Sequence, residues 1–498
     1  MNFSDALFPG DGTPGITAKF SESNRFLNAI RQAVALVSLA SGLFCASQAQ
    51  TAKEPWEELD KRVNASENIA PLGNDLLGDR VGLEHGELSF SNTDLSLPGN
   101  NALPVAITRS LSVNDHRGYH NDSMAADWEI DLPSISGVYG PNWIARLGST
   151  SRCSVSTPDQ VYPFTSITGV ADFDPYKFWH GLTLNIPSGG GELLLKNSAS
   201  PVPATPGVDY YWVTNSLTAV SCLPSIANSG GTNGSGEGFL AITADGTKYW
   251  FNWMAQYYEP ILKEKTGSGT QKSTITLNRR RNVLYATRVE DRFGNSVTYI
   301  NTATQPGKLT RIQASDGRQI DITYNTSGQI ATLSDGTRSW TYQYGNVGTA
   351  DGTYKTLTAV VLPDQSRWTF DFAQFSQTFI PKPVVDEGSW TCLYPPDLLP
   401  VADKVGTVIH PSGAQGRFQV GVQRHSHTNV PTTCLSDTND QYDQERMAYV
   451  NAEPIAWDVF SLKQKQISGP GLGTLNWDYS YASSPGWIIA DAVRNGAL

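Results

Sequence analysis

A short unit recurs through the second half of the chain, and it restricts the fold more than any other feature. One copy is LTRIQASDGRQIDITYN, residues 309–325; the next is IATLSDGTRSWTYQYGN, residues 330–346; a third is LTAVVLPDQSRWTFDF, residues 357–372. Partial copies precede these at 240–253 and 289–301 and follow at 405–420 and 467–482. Each copy holds an aliphatic strand, a turn, and a second strand carrying an aromatic. The turn residues are Asp245-Gly246, Asp316-Gly317 and Asp335-Gly336. Asp-Gly between alternating strands predicts type I′ hairpin turns, in which both central residues need positive φ. The aromatics (Phe251, Tyr324, Tyr342 with Tyr344, Phe370 with Phe372) alternate with polar residues, so they share one face of a sheet. Tyr suits that face, because its ring packs while its hydroxyl reaches water or a backbone group. A lone hairpin is marginal, so the copies must pair in series.

The first half is also β-like. From Val81, the run VGLEHGELSFSNTDLSLPGNNALPVAITRSLSV alternates with period two and breaks at Pro98-Gly99-Asn100-Asn101. Leu88, Phe90, Leu95 and Leu97 fall on one side, followed by Val105, Ile107 and Leu111 on the next strand. Gly (45), Pro (29) and aromatics (10% of residues) are frequent and Met is scarce (4), as in a protein of many short strands. The expected fold is all-β: an N-terminal β-sandwich or barrel-like module followed by a curved sheet of hairpin repeats, a partial β-shell. The expected divisions are an N-terminal extension and signal peptide at 1–49, a linker or short helix at 50–80, the N-terminal β module at 81–280, the repeats at 281–482 and a tail at 483–498.

Residues 25–50 have the order of an export signal. Arg25 and Arg31 precede an apolar run from Ala33 to Ala46, and Ser47-Gln48-Ala49 supplies small residues for cleavage after Ala49. The expected location is therefore outside the cytoplasm: secreted, periplasmic or at the cell surface. No second apolar stretch is long enough to span a bilayer, so stable membrane insertion is not expected. Four cysteines then remain: Cys153, Cys222, Cys392 and Cys434. They allow three disulfide connectivities, or free buried thiols; sequence proximity favours Cys153–Cys222 and Cys392–Cys434. The net charge of −11 argues against a nucleic-acid partner.

The repeats are similar to those of the RHS/YD-repeat family, the rearrangement-hotspot proteins and their teneurin relatives. Gly317…Tyr324…Gly328…Ile330…Gly336 follows the family's GxxxxxxYxxxGxLxxxxxxxG-like pattern. Gly294…Tyr299 and Gly336…Tyr344 follow it partly, and Asp364-Gln365 departs by lacking the Gly. The segment GELSFSNTDLSLPGNNALPVAITRSL also resembles the module that opens exported members. The resemblance covers roughly residues 80–125 and 285–482. It implies a hollow β-shell that encloses a C-terminal toxic domain, released by self-cleavage. No DPxGL-like core motif and no toxin domain follow here, so the chain reads as the N-terminal portion of a longer protein or a truncated product. A C-terminal toxin or a further shell segment is the partner so implied.

No catalytic site is expected and no cofactor is implied: GxSxG, HExxH and P-loop motifs are absent. His425 and His427, with His410 and Cys434 nearby, are the metal candidate, although solvent-facing histidines are the preferred reading. Asp437 to Asp443 has the acid density of a calcium loop but lacks its Gly and distal Glu. Asp172 with Asp174, and Glu290 with Asp291, are carboxylate pairs in name only. The groups Trp250, Trp253, Tyr257, Tyr258 and Trp340, Tyr342, Tyr344 are read first as packed hairpin faces and second as a glycan platform. The leading expectation is thus a non-enzymatic, exported structural protein. The alternatives are a carbohydrate-binding surface protein or adhesin, and a secreted β-scaffold glycoside hydrolase or lyase.

Overall fold

The fold is all-β, as the period-two patterning dictates, with no α-helix among the described residues. The computed structural model describes residues 76–82, 85–113, 123–140, 151–155, 179–186, 190–197, 208–229, 235–266, 273–302, 304–349, 352–375, 378, 380, 401–426, 440–443, 448–451 and 456–481. All belong to the unit Asn74–Leu498.

Strands β1 (Asp79–Val81), β2 (Leu88–Ser96), β3 (Ala106–Ser112) and β4 (Glu129–Ile130) form a small antiparallel sheet in that order. Leu88, Phe90 and Leu95 are all buried although the last has opposite parity. A register shift between Thr93 and Leu95 brings Leu95 back to the apolar face.

The other strands form one antiparallel sheet that closes on itself. The ring comprises β5 (Ser134–Tyr139), β6 (Thr183–Ile186), β7 (Gly190–Leu193), β8 (Leu195–Lys196), β9 (Tyr210–Val213), β10 (Ala219–Leu223), β11 (Gly238–Ile242), β12 (Lys248–Thr266) and β13 (Ser273–Glu290). Strands β7 and β8 are separated only by Leu194, whose N–H bonds to the Leu182 carbonyl at 2.8 Å. Closure is made by β13, which pairs with both β12 and β5. Ile135, Val220, Phe239, Phe251, Met254 and Leu284 are fully buried and form the ring's core. Cys153 is joined to Cys222 of β10, the first of the two pairings that proximity favours. The Glu237 carboxylate, just before β11, accepts the N–H groups of Cys153 and Ser154, and the Trp212 indole donates to the Cys153 carbonyl.

From β13 the sheet continues as consecutive hairpins. These are β14 (Ser296–Thr302), β15 (Gln305–Ala314), β16 (Gln319–Tyr324), β17 (Ile330–Ser334), β18 (Ser339–Thr349), β19 (Gly352–Val361), β20 (Arg367–Asp371), β21 (Lys404–Ile409) and β22 (Gln415–Ser426). A short hairpin, β23 (Asp440–Asp443) with β24 (Ala448–Asn451), pairs back onto β12, while β25 (Ala456–Gly469) pairs with β22 and with β26 (Leu472–Asp478). The division expected at 280/281 falls inside β13, because this long strand serves both ring and hairpins. Likewise β1 begins before residue 81, within the segment expected to be a linker or helix.

The turns differ from the expected type I′. Gly246, Gly317 and Gly336 have φ of 88°, 91° and 91°, but Asp245, Asp316 and Asp335 are not left-handed. At the first turn the Thr243 N–H bonds to the Thr247 carbonyl and the Gly246 N–H to the Thr243 carbonyl. The same two bonds recur from Asp291, Ala314, Asn325, Leu362 and His410. Each is a three-residue loop in which a type I turn is followed by one left-handed residue. This arrangement spares Asp the ~1–2 kcal/mol that a left-handed backbone costs a residue with a Cβ. That position is held by Gly294, Gly328 and Gly413 in three of the other turns; in the turn that lacks Gly, Gln365 adopts it with φ 70°. The Asp335 turn differs: the register closes at Ser334 and Ser339, the Asp335 N–H reaches the Arg338 carbonyl at 3.3 Å, and the left-handed Gly336 lies between.

Repeat tyrosines fasten the hairpins. The Tyr324 hydroxyl donates to the Leu309 carbonyl (2.6 Å), Tyr344 to Ile330 (2.9 Å) and Tyr481 to Leu462 (2.6 Å). Tyr299, on β14, is buried. The small sheet lays its apolar face on the hairpins. Phe90 meets Phe372 and Phe418 at ring distances of 4.8 and 5.0 Å, and Trp128 meets Phe370 at 5.1 Å.

Candidate functional site

The pleat of β2 and β3 that buries Phe90 and Leu111 leaves only small hydroxyl residues on the opposite face at six facing positions. Register pairs them across the strands: Ser89 with Ser112, Ser91 with Ser110, Thr93 with Thr108. The Thr93 and Thr108 hydroxyls bond each other at 2.8 Å. The other four ladder hydroxyls have no protein partner among the described residues. This ladder floors a cleft of about 860 Å³. The facing wall carries Ser134 and Ser136 of β5 with Arg281, Val283 and Tyr285 of β13; Tyr257, Tyr299, Met124, Ile130 and Leu132 also line the cleft, as do Arg80, Asp127 and Asp131.

The wall is polar and electrostatically organised. The Tyr257 and Tyr285 hydroxyls are 2.9 Å apart. Burial holds the phenols of Tyr257, Tyr285 and Tyr299 above the usual tyrosine range, so they stay neutral hydroxyls. Arg281 donates to Glu129 at 3.1 Å and lies 3.7 Å from Glu259. Burial acts to lower its pKa, but Glu129 and then Tyr285 and Glu259 outweigh it, so the cation is held more firmly. Arg281 and Glu129 both remain partly exposed.

Behind the floor the small sheet is anchored by buried charge. Asp94, at the register shift, accepts the Arg109 Nε–H with both oxygens at 3.0 and 2.9 Å and also accepts the Tyr342 hydroxyl. The Arg109 guanidinium lies between Trp128 (4.5 Å) and Phe370 (4.6 Å). Asp127 accepts from the Thr356 hydroxyl (2.6 Å) and the Leu357 N–H (2.7 Å) of β19. Lys465 of β25 pairs with Asp79 of β1 at 2.5 Å. Of these residues only Tyr342 and Phe370 stood out in the sequence, as repeat aromatics; the charged ones did not. The available signal was Arg109 occupying an alternate position in the apolar series Val105, Ile107, Leu111, and the ladder was legible as the hydroxyls interleaved in LSFSNT and ITRSLS.

The candidates singled out from sequence have other roles. The His410 ring accepts the Ser412 N–H within its turn, and His425 packs edge-on against His85 at 5.2 Å. Glu290 pairs with Arg288, and Asp291 caps its own turn. Trp340 and Tyr342 are buried, Trp253 donates to the Pro306 carbonyl, and Tyr258 is exposed beneath Arg280. Among the described residues no group of three or more His, Cys, Asp or Glu could hold a metal, and no helix is long and apolar enough to cross a membrane. The signal segment with Ala49, Cys392, Cys434, His427, Asp172, Asp174 and residues 437–439 lie outside the described residues.

Comparison with known protein families finds no family that matches the chain. No curated protein matches it either.

Proposed function

We propose that this protein is an exported structural component, a wall of an RHS-type β-shell that encloses or presents a toxin or surface module. One observation carries this reading: β13 to β22 pair in strict sequence order, and five of the nine connections between them are the same three-residue turn. A ladder of this kind extends by adding hairpins, since each new strand needs only its predecessor. The tyrosine-to-carbonyl bonds support a sheet built for rigidity, and the docked small sheet covers part of one face. Among the described residues, Glu290, Asp291, His410 and His425 are committed to an ion pair, turns or ring packing, which favours a scaffold over an enzyme.

The test is isolation of the gene product from its source cells, followed by electron microscopy and proteinase K digestion. The expected result is an exported chain beginning after Ala49, within a closed β-walled particle that shields an additional polypeptide. A chain retained in the cytoplasm, or an open particle with nothing shielded, would overturn the proposal.

A further inference from the structure

We propose that the cleft over the Ser/Thr ladder binds a neutral oligosaccharide. This goes beyond the shell reading and does not depend on it. The first ground is the floor. Strands put same-face residues two apart, so Ser89 to Thr93 and their partners give three rungs over roughly 14 Å. Each rung presents two hydroxyls, and four of the six are without a protein partner among the described residues. A hydroxyl both donates and accepts, which matches a ligand whose own groups are hydroxyls.

The second ground is the wall. Tyr257, Tyr285 and Tyr299 add aromatic rings with neutral hydroxyls, giving the apolar body and polar tip that suit a sugar ring. Arg281 and Glu129, already paired and still partly exposed, add a fixed donor and acceptor at one place in the wall. Arg80, Asp127 and Asp131 line the cleft as well, so its carboxylates outnumber its cations by one and an anionic ligand is disfavoured. The volume of about 860 Å³ lies in the range of small-molecule sites and admits more than one sugar unit.

An extended peptide fits less well. Strand addition takes place at a sheet edge, whereas the cleft lies over the face of β2 and β3. The floor also lacks the apolar pockets that would read peptide side chains. The ladder is supported from behind by the Asp94–Arg109 pair and the Trp128 and Phe370 rings, so the rungs are held in place before a ligand arrives.

The test uses the full chain in isothermal titration with cellotetraose, chitotetraose, maltotetraose, mannotetraose and a flexible Gly-Ser octapeptide. At least one tetrasaccharide is expected to bind and the peptide to fail. The double variant Ser91→Val/Ser110→Val removes the central rung while suiting the strand, and should weaken that binding about tenfold or more. Tyr285→Phe is the independent second variant and should weaken the same sugar severalfold. Near-UV circular dichroism matching the parent shows that each variant is folded, and Tyr285→Phe decides the matter if the double variant is not. Failure of all four sugars, binding of the peptide alone, or sugar binding unaffected by a folded variant would overturn the proposal. Shell formation is read separately by microscopy, so either proposal can fail without the other.

Discussion

Replacing Asp94 with Asn should cost about 3–5 kcal/mol, because it strands the Arg109 cation in a site shielded from bulk solvent. Both side chains are 0% exposed, and the carboxylate spans Nε with two bonds of 3.0 and 2.9 Å. Arg109→Met should cost a similar amount by leaving the carboxylate with only the Tyr342 hydroxyl. The double variant behaves differently. Its neutral amide still accepts from Tyr342, and the Met side chain fills the slot between Trp128 and Phe370. Its cost should therefore be under about 1.5 kcal/mol, less than either single change. Urea unfolding followed by tryptophan fluorescence gives the four free energies, and the cycle should show a coupling above about 2 kcal/mol. Repeating it at high salt should change little, since a buried pair is poorly screened. Single costs that add in the double variant to within about 0.5 kcal/mol would refute the reasoning.

Three further outcomes are expected. Cys222→Ala opens a link across a sequence separation of 69 residues and should lower stability by about 4 kcal/mol on the chain-entropy account, seen as a matching fall in Tm when the parent is reduced. Gln365→Gly should gain about 1 kcal/mol by relieving φ 70°, whereas Gly317→Ala should lose ~1–2 kcal/mol from backbone alone, since a Cβ there meets nothing within 4 Å; a reversed sign in urea midpoints for either would contradict the turn assignment. Turn hydrogen bonds hold the carboxyls of Asp245 (first the Thr243 hydroxyl), Asp291 (first Asn295) and Asp364 (first the Ser366 hydroxyl) below their usual value, so their stabilisation is present above the unfolded value of about 3.9 and is lost as pH falls through the folded values. Tm should thus be level above about pH 5 and decline below about pH 4, and a decline already under way near neutrality would count against this origin.

What could be read in the sequence was local. Alternation placed the strands, and the recurring Gly marked all but one of the three-residue turns, because both signals are confined to a few neighbouring residues. Turn type was misread from Asp-Gly because the deciding factor is the pairing of the flanking residues, as between Thr243 and Thr247, which the dipeptide does not encode. The small sheet's second face was in plain view as interleaved Ser and Thr, but its meaning depends on β5 and β13 standing opposite. Arg109 was hidden for the same reason: its partners are a bulged Asp94, the Trp128 ring beyond the next turn, and the Phe370 ring far along the chain.

The Asp79–Lys465 pair has a consequence in time. Its two residues are 386 positions apart, so this clasp on the small sheet cannot close until residue 465 has been made. At synthesis rates of about 5–20 residues per second, that wait is on the order of 20 to 80 seconds. Phe90, Leu111 and Trp128 stay uncovered for much of it, while each hairpin behind them can close as it emerges. A cell making this protein must keep its small sheet from finding another partner until β25 arrives.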